Sequence, residues 1–281
     1  MKRALVLAGG GVAGIAWEIG VLRGICDGAP ALYASLVGAN VILGTSAGAA
    51  VAAQITSRTP ASDLYDAQLS ETTSELEVDL DIDDLMARFG QATAGAATAA
   101  EARRRIGALA LAAATVDEAA RRRAIAARLP VPAWPEQVLL LPALDAETGE
   151  LVIFTRASGV ALVDAVAASC ALPGVWPPVG IGGRRYIDGG MRSGTNADLA
   201  TGCDRVLVVT PSAADAPQRW GDLRGEIELL KPAEVRVVHA DAASLAAFGS
   251  NPLSPATRGP AARAGRALGK ARAAELVAFW G

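Results

Sequence analysis

Apolar residues in this chain come in short unbroken runs, each stopped by glycine or a small polar residue. Ala4-Leu-Val-Leu-Ala8, within a strand read at residues 3–8, is one such run ahead of three glycines, and Val41-Ile-Leu43 forms another that breaks at Gly44. Runs that are apolar at successive positions, rather than alternate ones, predict strands buried on both faces. Residues 206–210 repeat the pattern, and residues 235–239, apolar apart from Arg236 and His239, read as a further strand. Residues 14–25 and 47–57 read as helices, with residues 9–13 as the loop before the first of them. Strands alternating with helices imply an α/β fold with a mainly parallel central sheet and helices on both faces.

Beyond residue 60 the rhythm changes, and no strand is expected before about residue 135. Nine acidic residues, from Asp63 to Asp84, lie between Thr59 and Ala87 with no basic one. Seven arginines follow between Arg103 and Arg128. This predicts a helical insertion at about residues 60–135 with its charge separated along its length. Two readings stand: the acidic and basic faces pair with each other, or the segment is a mobile cap whose basic helix meets anionic lipid. Its apolar stretch at residues 106–114 either lines an acyl pocket or fills a core.

Sheet signals return at residues 137–144 and 151–155, which pair across residues 145–150. Residues 159–171 read as a helix stopped by Pro173. Ile181-Gly-Gly-Arg-Arg-Tyr-Ile187 reads as a tight hairpin that delivers Asp188. The C-terminal tail, at about residues 256–281, reads as an amphipathic basic helix packed on the body.

With 281 residues, 52% hydrophobic and 20% charged, the chain is expected to be one compact domain with an added cap. A net charge of −3 gives no reason to bind nucleic acid. Cys26, Cys170 and Cys203 are widely spaced and odd in number, which predicts free thiols and a cytoplasmic setting. The apolar run after Met1-Lys-Arg3 is too short for a signal peptide core of about 7–15 residues. No run nears the ~20 apolar residues needed to span a bilayer. Any membrane contact is therefore expected to be peripheral.

Three glycine motifs carry the candidate chemistry. Gly44-Thr-Ser46-Ala-Gly48 has the pattern of a nucleophile elbow, a sharp strand-to-helix turn that exposes a serine hydroxyl. Gly9-Gly-Gly11-Val-Ala-Gly14 follows a strand and opens a helix, as a dinucleotide-binding fingerprint does. That fingerprint needs an acidic residue about 20 positions on, yet none occurs between Gly28 and Ser62. An NADP site would want an arginine there, and the first is Arg58. A phosphate-binding P-loop fails because Ile15 and Ala16 stand where Lys and Ser or Thr are required. What survives is a cluster of backbone N–H donors at a helix start, suited to an oxyanion.

Asp188-Gly189-Gly190 is either an ordinary turn or the carrier of a base. His239 is the only histidine, and the order Ser46, Asp188, His239 is that of α/β-hydrolase triads. In those enzymes, however, the elbow follows several strands, and here it follows the second. Asp79, Asp81 and Asp83 imitate the start of a calcium loop, but the sixth and twelfth positions are Asp84 and Gly90 rather than Gly and Glu. No metal and no cofactor are implied.

These motifs, in this order, resemble the patatin-like phospholipases, a family of lipid acyl hydrolases. Further likeness runs through Ala168-Ser-Cys-Ala-Leu-Pro-Gly-Val-Trp-Pro-Pro-Val179 and Arg184-Arg-Tyr-Ile-Asp-Gly-Gly190. The resemblance implies a three-layer α/β/α patatin-like fold and a lipid or acyl-ester substrate. It also implies Ser46 as nucleophile, Asp188 as its partner without a histidine, and an oxyanion hole from Gly9, Gly10, Gly11 and the Ala47 N–H. Gly14, Gly44, Gly48, Gly189 and Gly190 complete the motifs. The chain departs from the family at Ala13, where many members carry Arg or Lys. A Ser46-His239-Asp188 esterase and a catalytically silent lipid-binding protein of the same fold remain the alternatives. A carboxylate of ordinary pKa is a poor base for a serine, so burial is expected to raise that of Asp188.

Overall fold

The computed structural model describes residues 1–217 and 221–281. The chain opens with β1 (Arg3–Leu7), α1 (Gly11–Gly28), α2 (Pro30–Val37), β2 (Val41–Gly44) and α3 (Ala47–Ile55). Four helices follow with no strand between them: α4 (Ala61–Leu69), α5 (Ile82–Thr93), α6 (Ala99–Ala112) and α7 (Glu118–Ala127). A hairpin of β3 (Val138–Asp145) and β4 (Leu151–Phe154) leads to α8 (Leu162–Ser169). A second hairpin, β5 (Val179–Ile181) and β6 (Arg184–Asp188), precedes β7 (Arg205–Thr210), α9 (Leu223–Leu229) and β8 (Glu234–His239). Then come α10 (Ala242–Phe248) and α11 (Arg258–Trp280).

The strands form one sheet in the order β5-β6-β3-β2-β1-β7-β8, with β4 also paired to β3. The segment from β3 through β2, β1 and β7 to β8 is parallel, and the hairpin strands are antiparallel. Successive side chains of β1 serve opposite faces. Leu5 and Leu7 join the core under α1, α3 and α8, while Ala4 and Val6 join a second core with Leu223 and Leu230. Burial on both faces explains why the strands read as continuous apolar runs. The result is the three-layer α/β/α arrangement with a mainly parallel sheet.

One detail of the sheet positions the site. Strand β3 pairs with β2 through Val138–Leu140 and with β6 through Ala143–Asp145. Because β2 is parallel to β3 and β6 antiparallel, their C-terminal ends run toward each other along it. The residues after Gly44 and the last residue of β6, Asp188, therefore converge.

Helix α1 begins at Gly11, three residues earlier than the sequence suggested, since the Gly14 amide already donates to the Gly10 carbonyl at 2.8 Å. Helix α2 was not anticipated, although Pro30 at its first turn is a fitting start signal. Helix α8 is shorter than read, because Gly159 is left-handed (φ 69°) and Ala161 is extended ahead of its first turn. Asp81 caps α5 by accepting from the Asp84 amide at 3.0 Å, so the aspartate run there starts a helix.

Among the described residues the acidic and basic halves of the segment meet at one buried place: Arg128, just after α7, forks onto Glu75 in the loop before α5 with contacts of 2.7 and 2.5 Å. Other arginines find partners elsewhere, as Arg122 does with Asp164 and Arg103 with the Gly149 carbonyl. Ile106 and Ala110 pack with Leu85, Phe89, Leu144 and Ile187, so these positions fill a core against the sheet end and are not among the residues that line the cavity at Ser46.

Helix α11 lies along α1 backbone to backbone. A Cβ on Gly24 would stand 2.1 Å from the Arg266 carbonyl oxygen, and one on Gly269 would stand 2.0 Å from that of Val21. The tail is thus a packed helix whose inner face is glycine and alanine from Ala261 to Ala273 and ends in Leu276, Phe279 and Trp280.

Candidate active site

Ser46 sits between β2 and α3 with φ 54° and ψ −116°, a conformation that costs a non-glycine residue about 1–3 kcal/mol. The surrounding backbone holds it there. Thr45 N–H donates to the Leu7 carbonyl at 3.0 Å, and Gly48 N–H to that of Ala8 at 2.9 Å. A Cβ on Gly44 would meet the Gly48 carbonyl oxygen at 2.3 Å, and one on Gly48 would meet that of Leu7 at 2.1 Å. The Ser46 amide donates to Ser169 Oγ at 3.0 Å, which in turn donates to the Pro142 carbonyl at 2.7 Å. Cys170 Sγ lies 2.9 Å from the Ser46 carbonyl oxygen and closes the turn from below.

Asp188 ends β6 and is 2% exposed. Its Oδ2 accepts the Ser46 hydroxyl at 2.7 Å, and its Oδ1 accepts the Gly190 N–H at 2.7 Å. Gly189 lets the turn press on β3, since a Cβ there would stand 2.3 Å from the Pro142 carbonyl oxygen. Burial pushes the carboxyl from its ordinary 3.8 up to about 7, against the weaker pull of these hydrogen bonds and of the Arg121 charge.

The glycine loop faces the same hydroxyl. A Cβ on Gly9 would lie 3.4 Å from Ser46 Cβ. Its amide, however, donates to the Gly194 carbonyl at 2.8 Å, so the reading of all three glycines as donors is corrected there. The amides of Gly10, Gly11 and Ala47 have no hydrogen-bond partner among the described residues. Gly11 has φ 66° and presses on the Pro252–Leu253 turn. Gly14 packs α1 on α3, at 3.4 Å from Ala47 Cβ for an added Cβ. Ala13 is fully buried, and its N–H anchors the loop to the Pro252 carbonyl at 2.9 Å.

Residues that the sequence did not single out complete the support. Asn196 is buried, with its side-chain nitrogen 3.1 Å from Thr45 Oγ1, 2.7 Å from the Ser193 carbonyl and 3.3 Å from that of Gly189. It ties the elbow to the aspartate turn. Glu18, also buried, accepts the Ala8 N–H at 2.8 Å just before the glycines, and burial holds its carboxyl well above the usual range. Only Ser169 lay inside a segment that drew attention in the sequence.

Ser46, Asp188 and the loop open into a cavity of about 180 Å³. Val12, Ile15, Leu172, Trp176, Met191 and Leu253 supply its apolar wall, and Arg121 and Arg128 line it from α7 and the residue that ends it. His239 is elsewhere. Its Nδ1 lies 3.2 Å from the Ser212 carbonyl oxygen, and it lines a different cavity on the other side of Gly9 and Gly190. The aspartate reaches the serine directly, with no imidazole between them. Among the described residues no group of His, Cys, Asp and Glu could hold a metal ion, and no helix is long and apolar enough to cross a membrane.

A doubly covered α/β sheet with a strained serine at a strand end has the architecture of an ester hydrolase. The chain belongs to the patatin-like phospholipase family, whose sequence pattern matches residues 5–201, and it is a lipid acyl hydrolase. Among solved structures it is similar to VipD from Legionella pneumophila, at 11% identity and a TM-score of 0.48 over 99% of this chain and 67% of that one. It is also similar to the type III effector protein ExoU, at 17% identity and a TM-score of 0.44 over 98% of this chain and 53% of that one. The chain thus spans about half the length of the second. No curated protein sequence matches it.

Proposed function

We propose that this chain hydrolyses acyl esters of lipids through a Ser46–Asp188 dyad and a covalent acyl-enzyme. The observation that carries the reading is the 2.7 Å hydrogen bond from Ser46 Oγ to a buried Asp188. With a pKa of about 7, Asp188 is ionised above neutrality and is a far stronger base than an ordinary carboxylate. Asp188 takes the Ser46 proton as Oγ attacks the ester carbonyl carbon. The Gly10, Gly11 and Ala47 amides receive the oxyanion, each worth about 2.7–4 kcal/mol in the transition state. Collapse expels the alcohol, which leaves with the proton held by Asp188. Water then attacks the acyl-Ser46 ester, giving its proton to Asp188, which passes it to Ser46 Oγ as the C–Oγ bond breaks and the fatty acid is released.

The whole chain is read as one hydrolase domain, with a helical cap at about residues 60–135 and the tail at about 256–281 as a structural helix. Substrate is met by peripheral contact with a lipid surface, in the cytoplasm, in keeping with three free cysteines.

A fluorophosphonate probe tests the dyad, since it reacts only with an activated serine. Wild type is expected to label at Ser46, Ser46→Ala not at all, and Asp188→Asn about 10²–10⁴-fold more slowly. An unlabelled wild type would overturn the Ser46–Asp188 reading. Hydrolysis of p-nitrophenyl esters of graded chain length then ranks acyl preference.

A further inference from the structure

Arg121 does something unusual for an arginine on a charged helix. It is 5% exposed, and its guanidinium carbon lies 3.7 Å from the centroid of the Trp176 ring. One guanidinium nitrogen, Nη1, is buried without a hydrogen-bond partner, and no carboxylate among the described residues pairs with the side chain. Guanidinium groups buried in proteins are nearly always matched by acceptors, because an unmatched one is costly. The tryptophan face fixes the plane of the group and covers one side of it, and the residue lines the cavity that also holds Ser46 and Asp188.

The neighbouring charges do not satisfy it. Of the two acids whose charge reaches it, Glu75 is taken up by the fork of Arg128, and Asp188 is engaged by the Ser46 hydroxyl and the Gly190 N–H. Arg258 bonds the backbone carbonyls of Ser70 and Ala67 and forms no ion pair among the described residues. A second cavity of about 430 Å³ shares Val12, Ile15 and Arg128 with the catalytic one and is walled by Gln54, Gln68, Arg258 and the paired Glu75. The approach to the serine therefore carries excess positive charge in a low-dielectric setting. Burial pulls Arg121 down to about 9, which still leaves it protonated where Asp188 is ionised.

We propose that Arg121 reads an anionic group on the substrate, its free N–H donating to a phosphate or carboxylate oxygen carried close to the scissile ester. Anionic acyl esters are then preferred over neutral ones with the same acyl chain. The proposal rests on the dyad reading, because the reacting serine lies in the same cavity, and it makes Arg121 a specificity-determining residue.

Three octanoyl esters test it: 1-octanoylglycerol 3-phosphate, neutral 1-octanoylglycerol, and O-octanoyl glycolate. Wild type is expected to favour an anionic ester over the neutral one by about 10- to 100-fold in kcat/KM, the scale of a charge-assisted hydrogen bond. Preference for the phosphate alone identifies a headgroup phosphate as the group read, and preference for the glycolate alone identifies a carboxylate. Arg121→Met should collapse the anionic-to-neutral ratio toward one, while Arg121→Lys keeps part of it. A wild-type ratio of one, or a ratio untouched in Arg121→Met because all three esters fall together, overturns the proposal. Should the variants fail to fold, n-octyl phosphate must still protect wild-type Ser46 from the fluorophosphonate at lower concentration than octanol does, and equal protection sinks the idea. A labelled Ser46 with no anionic preference removes only the role of Arg121. An unlabelled Ser46 removes the dyad reading itself.

Discussion

Asp188→Asn should abolish most activity and yet make the protein more stable in alkaline solution. In the folded chain the Asp188 pKa is raised from 3.8 to about 7, mainly by desolvation. A raised carboxyl pKa means that the native state holds its proton more tightly than the unfolded chain. At pH 3 both states are protonated and the group contributes nothing to the pH dependence. As pH climbs through 3.8 the unfolded chain ionises while the native state does not, so stability falls until pH passes about 7. That rise is about three pH units, and at 1.36 kcal/mol per unit the loss is on the order of 4 kcal/mol. Asparagine does not ionise. Its Oδ1 can keep the Gly190 N–H, and its Nδ2 can donate to Ser46 Oγ, so little else should change. Urea unfolding of both proteins at half-unit steps from pH 4 to 8.5 measures the difference. The variant's advantage should grow across that window and level off above 7. A difference that stays constant with pH would mean that Asp188 is not held protonated by its burial, and with it the argument for a strengthened base would fail.

Activity follows the same titration in the opposite sense: kcat/KM for a p-nitrophenyl ester should rise from pH 5 to 8 with a midpoint near 7, and a flat profile counts against Asp188 as base. Gly48→Ala forces a Cβ to 2.1 Å from the Leu7 carbonyl oxygen, so a loss of about 3 kcal/mol or failure to fold is expected by denaturation and soluble yield. Asn196→Ala leaves buried groups of the elbow and the aspartate turn unmatched; it should cost about 2–4 kcal/mol in urea unfolding and lower kcat. His239→Ala should keep kcat within about twofold of wild type, whereas a loss of ~10⁴-fold would revive the triad.

The elements that frame the site were legible because their signals are local. An apolar run ending in Gly44, a serine two residues on, and Asp188 after the Tyr186-Ile187 strand each announce themselves within a few residues. The hairpin turn at Gly182 and Gly183 was legible for the same reason. The start of α1 was misjudged because glycines weaken any helix signal, although backbone contacts with the Pro252 turn hold Gly11 in place. The apolar positions of α6 could not tell a pocket wall from a core, since both want the same side chains. Arg121 was hidden among six similar arginines. Its meaning depends on Trp176, 55 positions away, and no spacing rule links a cation to the ring it will stack on. Gly9 read as a donor because the Gly194 carbonyl that engages it comes from a loop nothing in the first motif foretells.

The glycine seam between α1 and α11 makes the last helix a partner in transition-state geometry at long range. Helix α1 begins at the amide donors, and its far flank rests on residues 258–280, well outside the 5–201 segment that identifies the family. With main chain against main chain at Gly24 and Gly269, there is no pliable side chain to absorb a change. A single methyl added at either position must push the two helices apart, and whatever part of that shift α1 takes reaches its opening turn, where the proposed donors lie. A change in the tail is in that way a change at the opposite end of the helix it supports.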